Sequence, residues 1–388
     1  MYDPYDSAVH DDPYPLYARL RALDGVYHNE EREFWALARF DDVLTALHDP
    51  ATFSSAEGIT VGPAPTALLP MMIMMDPPRH DRLRRLVSRA FTPRAIAALE
   101  RRIEEIAAEL VDSLSEGDDA DFVTSFAEPL PTMVIAELLG VDVADRAFFK
   151  AMSNRLVRQD PLRESGREDG LEAAGALYGY FDAVVQDRRR HPGEDLVSLL
   201  TQADIDGEAL SHEELLGFCF LLLVAGNETT TNLLGNGAIV LHDHPEIRSR
   251  IAATPTMLGD AVEELLRFDS PVQGLARTTT RPTRIRDTDI PARSQVLLLF
   301  GSANRDAAEF PDADTYDPDR RAERHLAFGH GTHFCLGASL ARLETRVGLA
   351  ALLGADPAYE IDRGSLTWIA SGPIRGPKTL HVRVGSRP

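Results

Sequence analysis

Ten residues, Phe328-Gly329-His330-Gly331-Thr332-His333-Phe334-Cys335-Leu336-Gly337, concentrate the residue types that do chemistry. Cys335 is one of only two cysteines in 388 residues. After it, Ala338, Leu340, Ala341, Leu343, Val347, Leu349, Ala350 and Leu353 recur at helical spacing, so the loop is expected to feed the start of a helix. The unpaired N–H groups and the dipole of a first turn stabilise a thiolate there. Gly329 and Gly331 permit turn conformations closed to other residues, and Gly337 lets the backbone lie flat against a large planar ligand. Four chemistries compete. A buried structural cysteine leaves the glycines and the phenylalanine unexplained. A zinc site on His330, His333 and Cys335 lacks a fourth ligand and any Cys-x-x-Cys pair. A dinucleotide loop fails because Phe334 stands where G-x-G-x-x-G needs its third glycine. There remains a thiolate ligand to haem iron, which favours cleavage of an O–O bond.

A second unusual stretch is Ala225-Gly226-Asn227-Glu228-Thr229-Thr230-Thr231-Asn232. Ser211-His212-Glu213-Glu214 reads as a capping box opening a helix to about His242. The first half of that helix is apolar almost all round, which predicts burial through the centre of the protein. Glycine and three threonines inside it are poor helix formers, and local rules tend to fail at functional sites. The plain alternative is a kinked helix whose threonine hydroxyls bond back to the preceding turn. Cys219, earlier in this helix, reads as core packing. His80 and Arg84, four residues apart, share a helix face, which by itself reads as a solvated basic surface. Residues 79–94 hold six arginines against one acid, a local inversion of sign whose exposed members suit an acidic partner. Glu264 and Arg267 are spaced to pair within a helix.

These groups need a largely helical frame. Short helices are expected at 16–21 and 40–48, strand at 34–38, and a loop over 51–70. Helices are expected over 93–116 and 122–139, with two more in 141–190 joined by a mobile connection. Strands follow at 283–300 and 366–384. The longest apolar run, residues 215–225, is too short to cross a bilayer. The acidic first twelve residues show no signal peptide, and two cysteines fit a reducing cytoplasm. With 40 basic and 61 acidic residues, net charge −21, nucleic acid and anionic membrane surfaces are poor partners.

The pattern F-G-x-G-x-H-x-C-x-G resembles, at every fixed position, the haem-binding loop of the cytochrome P-450 family, most closely its soluble bacterial branch. Further segments are similar: Asp76-Pro77-Pro78-Arg79-His80 with Arg84, Ala225-Gly226 with Glu228-Thr229, and Glu264 with Arg267. The resemblance implies a mainly α P-450 fold, a single domain over 1–388, with a small β-rich side. It implies haem b held through Cys335, with Phe328, Ala225 and Gly337 against the ring and His80, Arg84, Arg277 and His333 on the propionates. Glu228 and Thr229 would form an acid–alcohol pair that delivers protons to bound O2, with small Ala225 and Gly226 leaving room for it beside the helix. Arg320 would join Glu264 and Arg267 in a structural network, although Arg321 follows it where the family usually has phenylalanine. Met74, Leu222, Val272, Leu275 and Ile369 would line an apolar substrate pocket. The implied activity is monooxygenation of a hydrophobic organic molecule. Its electrons would come from a separate ferredoxin or flavodoxin and its NAD(P)H reductase. A peroxide-driven peroxygenase and a non-catalytic haem-binding or recruitment module are the alternatives.

Overall fold

The computed structural model describes residues 1–62, 69–115, 120–157, 164–205, 207–372 and 374–385. Its organising element is the helix His212–Asp243. The capping box is complete: the Ser211 hydroxyl accepts the Glu214 N–H at 3.1 Å, and the Glu214 carboxylate accepts the Ser211 N–H at 2.9 Å. This helix packs against Pro129–Leu138, Glu164–Arg190, Leu258–Phe268 and Ala338–Ala355. Leu215, Leu216, Leu223, Leu233 and Leu234 are all buried, as an apolar helix through the centre requires. Midway along it, Val224 and Ala225 are exposed.

Two expected helices come out divided. Residues 93–116 form Pro93–Ala97 and Glu100–Ser115. Ile96, Ile103 and Ile106 are buried in both pieces, so the apolar pattern runs through the break and hides it. In 122–139 a π-helical turn, Val123–Ala127, precedes Pro129–Leu138. Pro129 and Pro131 lack the N–H that would continue the earlier turn and suit a helix start. The expected pair in 141–190 is Arg146–Val157 and Glu164–Arg190. Their connection, 158–163, and residues 63–68 of the expected loop lie outside the described residues.

The largest sheet orders its strands as Tyr27–Asn29, Phe34–Leu37, Gln295–Leu298, Leu275–Thr279 and Phe53–Ser54. The expected strand pair at 283–300 is therefore three strands in two sheets. Thr283–Ile285 and Thr288–Ile290 make a partly exposed hairpin. Gln295–Leu298, with Val296, Leu297 and Leu298 buried, runs parallel to Phe34–Leu37 and antiparallel to Leu275–Thr279. This sheet places Arg277 opposite Val296, inside the fold.

The Glu264–Arg267 pair is fully buried, with N–O distances of 2.7 and 2.8 Å. Arg267 also donates to the carbonyl oxygens of Asn304 at 2.9 Å and Ala313 at 2.8 Å. Arg320 reaches the same Glu264 carboxylate at 3.1 Å. Arg321 takes a left-handed conformation, φ 52°, and turns the chain away. Among the described residues no helix is long and apolar enough to cross a membrane.

Candidate active site

The cysteine loop is built by its glycines. Gly329 and Gly331 have φ of 65° and 67°, and a Cβ on Gly331 would stand 2.7 Å from the Leu47 carbonyl oxygen. The Cys335 N–H donates to the Phe328 carbonyl at 2.9 Å, which closes the loop just before the helix Ala338–Ala355. Cys335 is partly exposed. Surrounding protein pushes its thiol up, while the Gly337 backbone N–H and the charges of Arg84 and Arg342 favour the thiolate. A Cβ added to Gly337 would meet nothing within 4 Å. The two histidines of the zinc reading turn elsewhere. His330 bonds His48 at 2.6 Å, and His333 bonds the Ser55 hydroxyl at 3.2 Å.

Beside this loop lies a cluster of cationic and imidazole groups. His80, 1% exposed, sits on the helix Arg79–Ser88 with its ring 4.3 Å from that of His333. Arg277, 4% exposed, makes a hydrogen bond to its neighbour's Ala276 carbonyl. Asp76 is the acid near it, but its oxygens accept from the Ser54 hydroxyl at 2.5 Å and the Ser55 N–H at 2.9 Å. Neither Arg277 nor Arg84 has an ion-pair partner among the described residues. Burial pushes Arg277 down to about 10. Burial, then Arg277 and His80, push His333 down to about 3. His80 pairs with the exposed Asp81 at 3.1 Å, but Arg84 and Arg277 are left without an ion pair among the described residues beside two imidazoles, which makes a receptor for an anion, and a dicarboxylate fits it. With the open face at Gly337 and a cysteine between them, the residues fit haem.

The central helix is open to solvent at its midpoint. Ala225 is exposed, and Glu228 and Thr229 are partly so. Thr229 donates to the Ala225 carbonyl at 2.7 Å, so the back-bonded hydroxyl and a site-facing position both hold. Glu228 has no hydrogen-bond partner among the described residues, and burial raises its carboxyl to about 7. Gly226 corrects an expectation. Small Ala225 and Gly226 suggest room for O2, but a Cβ on Gly226 would meet Ile135 Cδ1 at 2.7 Å. Gly226 is small for helix packing, and Ala225 alone faces open space.

Met74, Leu222, Val272 and Leu275 are partly buried, as wall residues would be, while Met72 and Met75 belong to the core. Ile369 instead lines a small cavity with Val9, His10, Tyr17 and Trp368, against the N-terminal segment. Phe328 packs against Phe334, ring centroids 6.4 Å apart. Sequence reading passed over Glu344. It is fully buried and pushed up to about 8 by burial, with Thr230, the neighbour of Thr229, acting the other way. Its signal was available: Leu340, Leu343 and Val347 put position 344 on the buried face of the helix.

A family model for cytochrome P450 matches residues 41–254 and 255–355. The chain belongs to the cytochrome P450 family. It is 41% identical over 384 residues to the cytochrome P450 monooxygenase PikC of Streptomyces venezuelae, covering 96% of this chain and 91% of that one. It is 40% identical over 400 residues to a vitamin D(3) 25-hydroxylase of Pseudonocardia autotrophica, covering 100% and 97%. The structure of cytochrome P450 CYP109Q5 from Chondromyces apiculatus superposes with a TM-score of 0.91 at 41% identity, covering 100% of this chain and 99% of that one. This cytochrome P450 is a haem b monooxygenase that uses O2, acts on hydrophobic organic molecules and needs an external source of electrons.

Proposed function

We propose that this P450 binds haem b through Cys335 and holds the propionates with His80, Arg84, Arg277 and His333, over a single domain of residues 1–388. The observation that carries this is the gathering of those four side chains beside the cysteine loop, with neither arginine in an ion pair among the described residues. Haem, once bound, supplies reductive activation of O2 and transfer of one oxygen atom to substrate. Ala225, small and exposed, would leave room for O2 beside the helix. Thr229 accepts a hydrogen bond through its free lone pairs while its O–H stays donated to the Ala225 carbonyl oxygen. Glu228, partly exposed and near its midpoint of ionisation at neutral pH, takes protons from solvent and passes them to that position. Met74, Leu222, Val272 and Leu275 offer apolar contact to an organic substrate, and Ile369 stands farther out, by the N-terminal segment.

Electrons come from a ferredoxin or flavodoxin with its NAD(P)H reductase, in the cytoplasm. The docking surface is narrower than six arginines. Arg82 and Arg79 pair with Glu214 at 2.5 and 3.5 Å, which ties the Arg79–Ser88 helix to the capping box of the central helix. Arg85, Arg89 and Arg94 remain exposed and suit an acidic donor. The test is turnover with a donor system, with peroxide and with neither, using compounds chosen by the ferric spin-state shift. Product with the donor system alone supports the proposal; product with peroxide alone overturns it.

A further inference from the structure

One charged cluster touches the cysteine loop from behind and has no part in the reading above. Glu263, beside Glu264 on the helix Leu258–Phe268, accepts two hydrogen bonds from Arg342, at 2.5 and 2.9 Å. His325, with its side chain 3% exposed, bonds the same carboxylate through Nε2 at 3.1 Å. Its Nδ1 accepts the Ala327 N–H at 3.3 Å, so the proton is on Nε2 and the ring is neutral. Burial alone would raise the Glu263 carboxyl, but the bonds from His325 and Arg342 bring it to about 2. The cluster is thus one carboxylate balanced by one guanidinium.

That guanidinium is aimed at the loop. Its Cζ lies 4.6 Å from the centroid of Phe328, whose carbonyl accepts the Cys335 N–H. Reducing a thiolate-ligated iron adds a negative charge to this site, and a nearby cation stabilises that charge.

We propose that Arg342 sets the ease of reduction of the haem iron through Cys335, and that Glu263 limits how much of its charge the sulfur feels. Both are positioning residues. The inference rests on Cys335 being the iron ligand. It predicts opposite signs for two neutralising substitutions. Arg342→Gln removes the cation and lowers the reduction potential, with the ferric/ferrous equilibrium constant moving by about three- to tenfold. Glu263→Gln leaves Arg342 unbalanced and raises the potential. Arg342→Lys keeps the charge and stays near wild type. A role confined to propping Phe328 gives no such pattern, because every substitution then loosens the loop in the same direction.

The experiment is an equilibrium redox titration of each haem-loaded protein without substrate, with the reduced carbon monoxide spectrum recorded alongside. Opposite shifts, with the sulfur-ligated band kept throughout, support the inference. Shifts of one sign, or none, overturn it. If Arg342→Gln fails to hold haem, Glu263→Gln decides: an upward shift supports the inference, and an unchanged or lower potential overturns it. Loss of the sulfur-ligated band from the wild type would instead refute the ligand assignment itself.

Discussion

Thr229 donates its hydroxyl to the carbonyl oxygen of Ala225, 2.7 Å away and one helical turn earlier. The proton is committed to the backbone, so the hydroxyl meets the site as an acceptor. Removing it leaves a helix carbonyl that keeps its backbone partner, and stability should change by less than about 1 kcal/mol. Thr229→Ala should therefore fold and bind haem normally, yet lose product per NADPH and release more peroxide. Thr229→Ser should restore most of the coupling. Measuring product, peroxide and NADPH together checks this, and unchanged coupling in Thr229→Ala removes the hydroxyl from the proton path.

Glu228 gives that path a pH signature. Burial raises its carboxyl to about 7, with no partner to oppose the shift. The group holds its proton below that value and loses it above, so coupled turnover should fall as pH rises through about 7. Glu228→Gln should lower turnover on the order of 100-fold and abolish the inflection. A wild-type profile with no feature in this range would argue that protons arrive by another route.

The Glu264–Arg267 pair should matter for stability and not for chemistry. Both side chains are fully buried, and removing one strands the other's charge at a cost of about 3–5 kcal/mol. Arg267→Met should lower the thermal midpoint sharply or prevent folding. Arg320→Gln should cost less, since its side chain is 15% exposed and Arg267 still satisfies the carboxylate. Thermal unfolding of the three proteins orders the effects.

Arg277 offers a test in two directions. Its charge is buried without an acidic ion-pair partner, at a cost visible in its lowered pKa. Arg277→Leu should stabilise the apoprotein by about 1–3 kcal/mol and destabilise the haem-loaded protein by a similar amount. Melting both forms of both proteins checks this. Destabilisation of both forms alike would mean that Arg277 supports the sheet and not a carboxylate.

Glu263 predicts acid sensitivity. Its pKa lies well below the ordinary carboxylate value of 4.5, so the stability it contributes is present above that value. It is lost as pH falls from about 4.5 to about 2. Glu263→Gln should therefore narrow the gap to wild type progressively over that window in acid unfolding curves.

The central helix and the cysteine loop were legible because their rules are local. A capping box, an apolar run and positive-φ glycines fix a conformation from neighbouring residues alone. The split of 93–116 was not legible, because Ile96, Ile103 and Ile106 keep one apolar rhythm across it. The role of Gly226 was misread because its reason, Ile135, lies ninety-one positions earlier in the chain and on another helix. Ile369 and the Arg82–Glu214 pair failed similarly: partners distant in sequence decided where they point. Glu344 was readable from its place on an apolar face, yet its contact with Thr230 needed the packed helices.

The central claim is that Cys335 ligates the iron, and the most direct measurement is the carbon monoxide difference spectrum of the reduced protein beside that of Cys335→His. Wild type should show the strongly red-shifted Soret band of sulfur-ligated haem, and Cys335→His should bind haem but lack it. A wild-type spectrum without that band in folded, haem-loaded protein, or the same band in Cys335→His, would contradict the account.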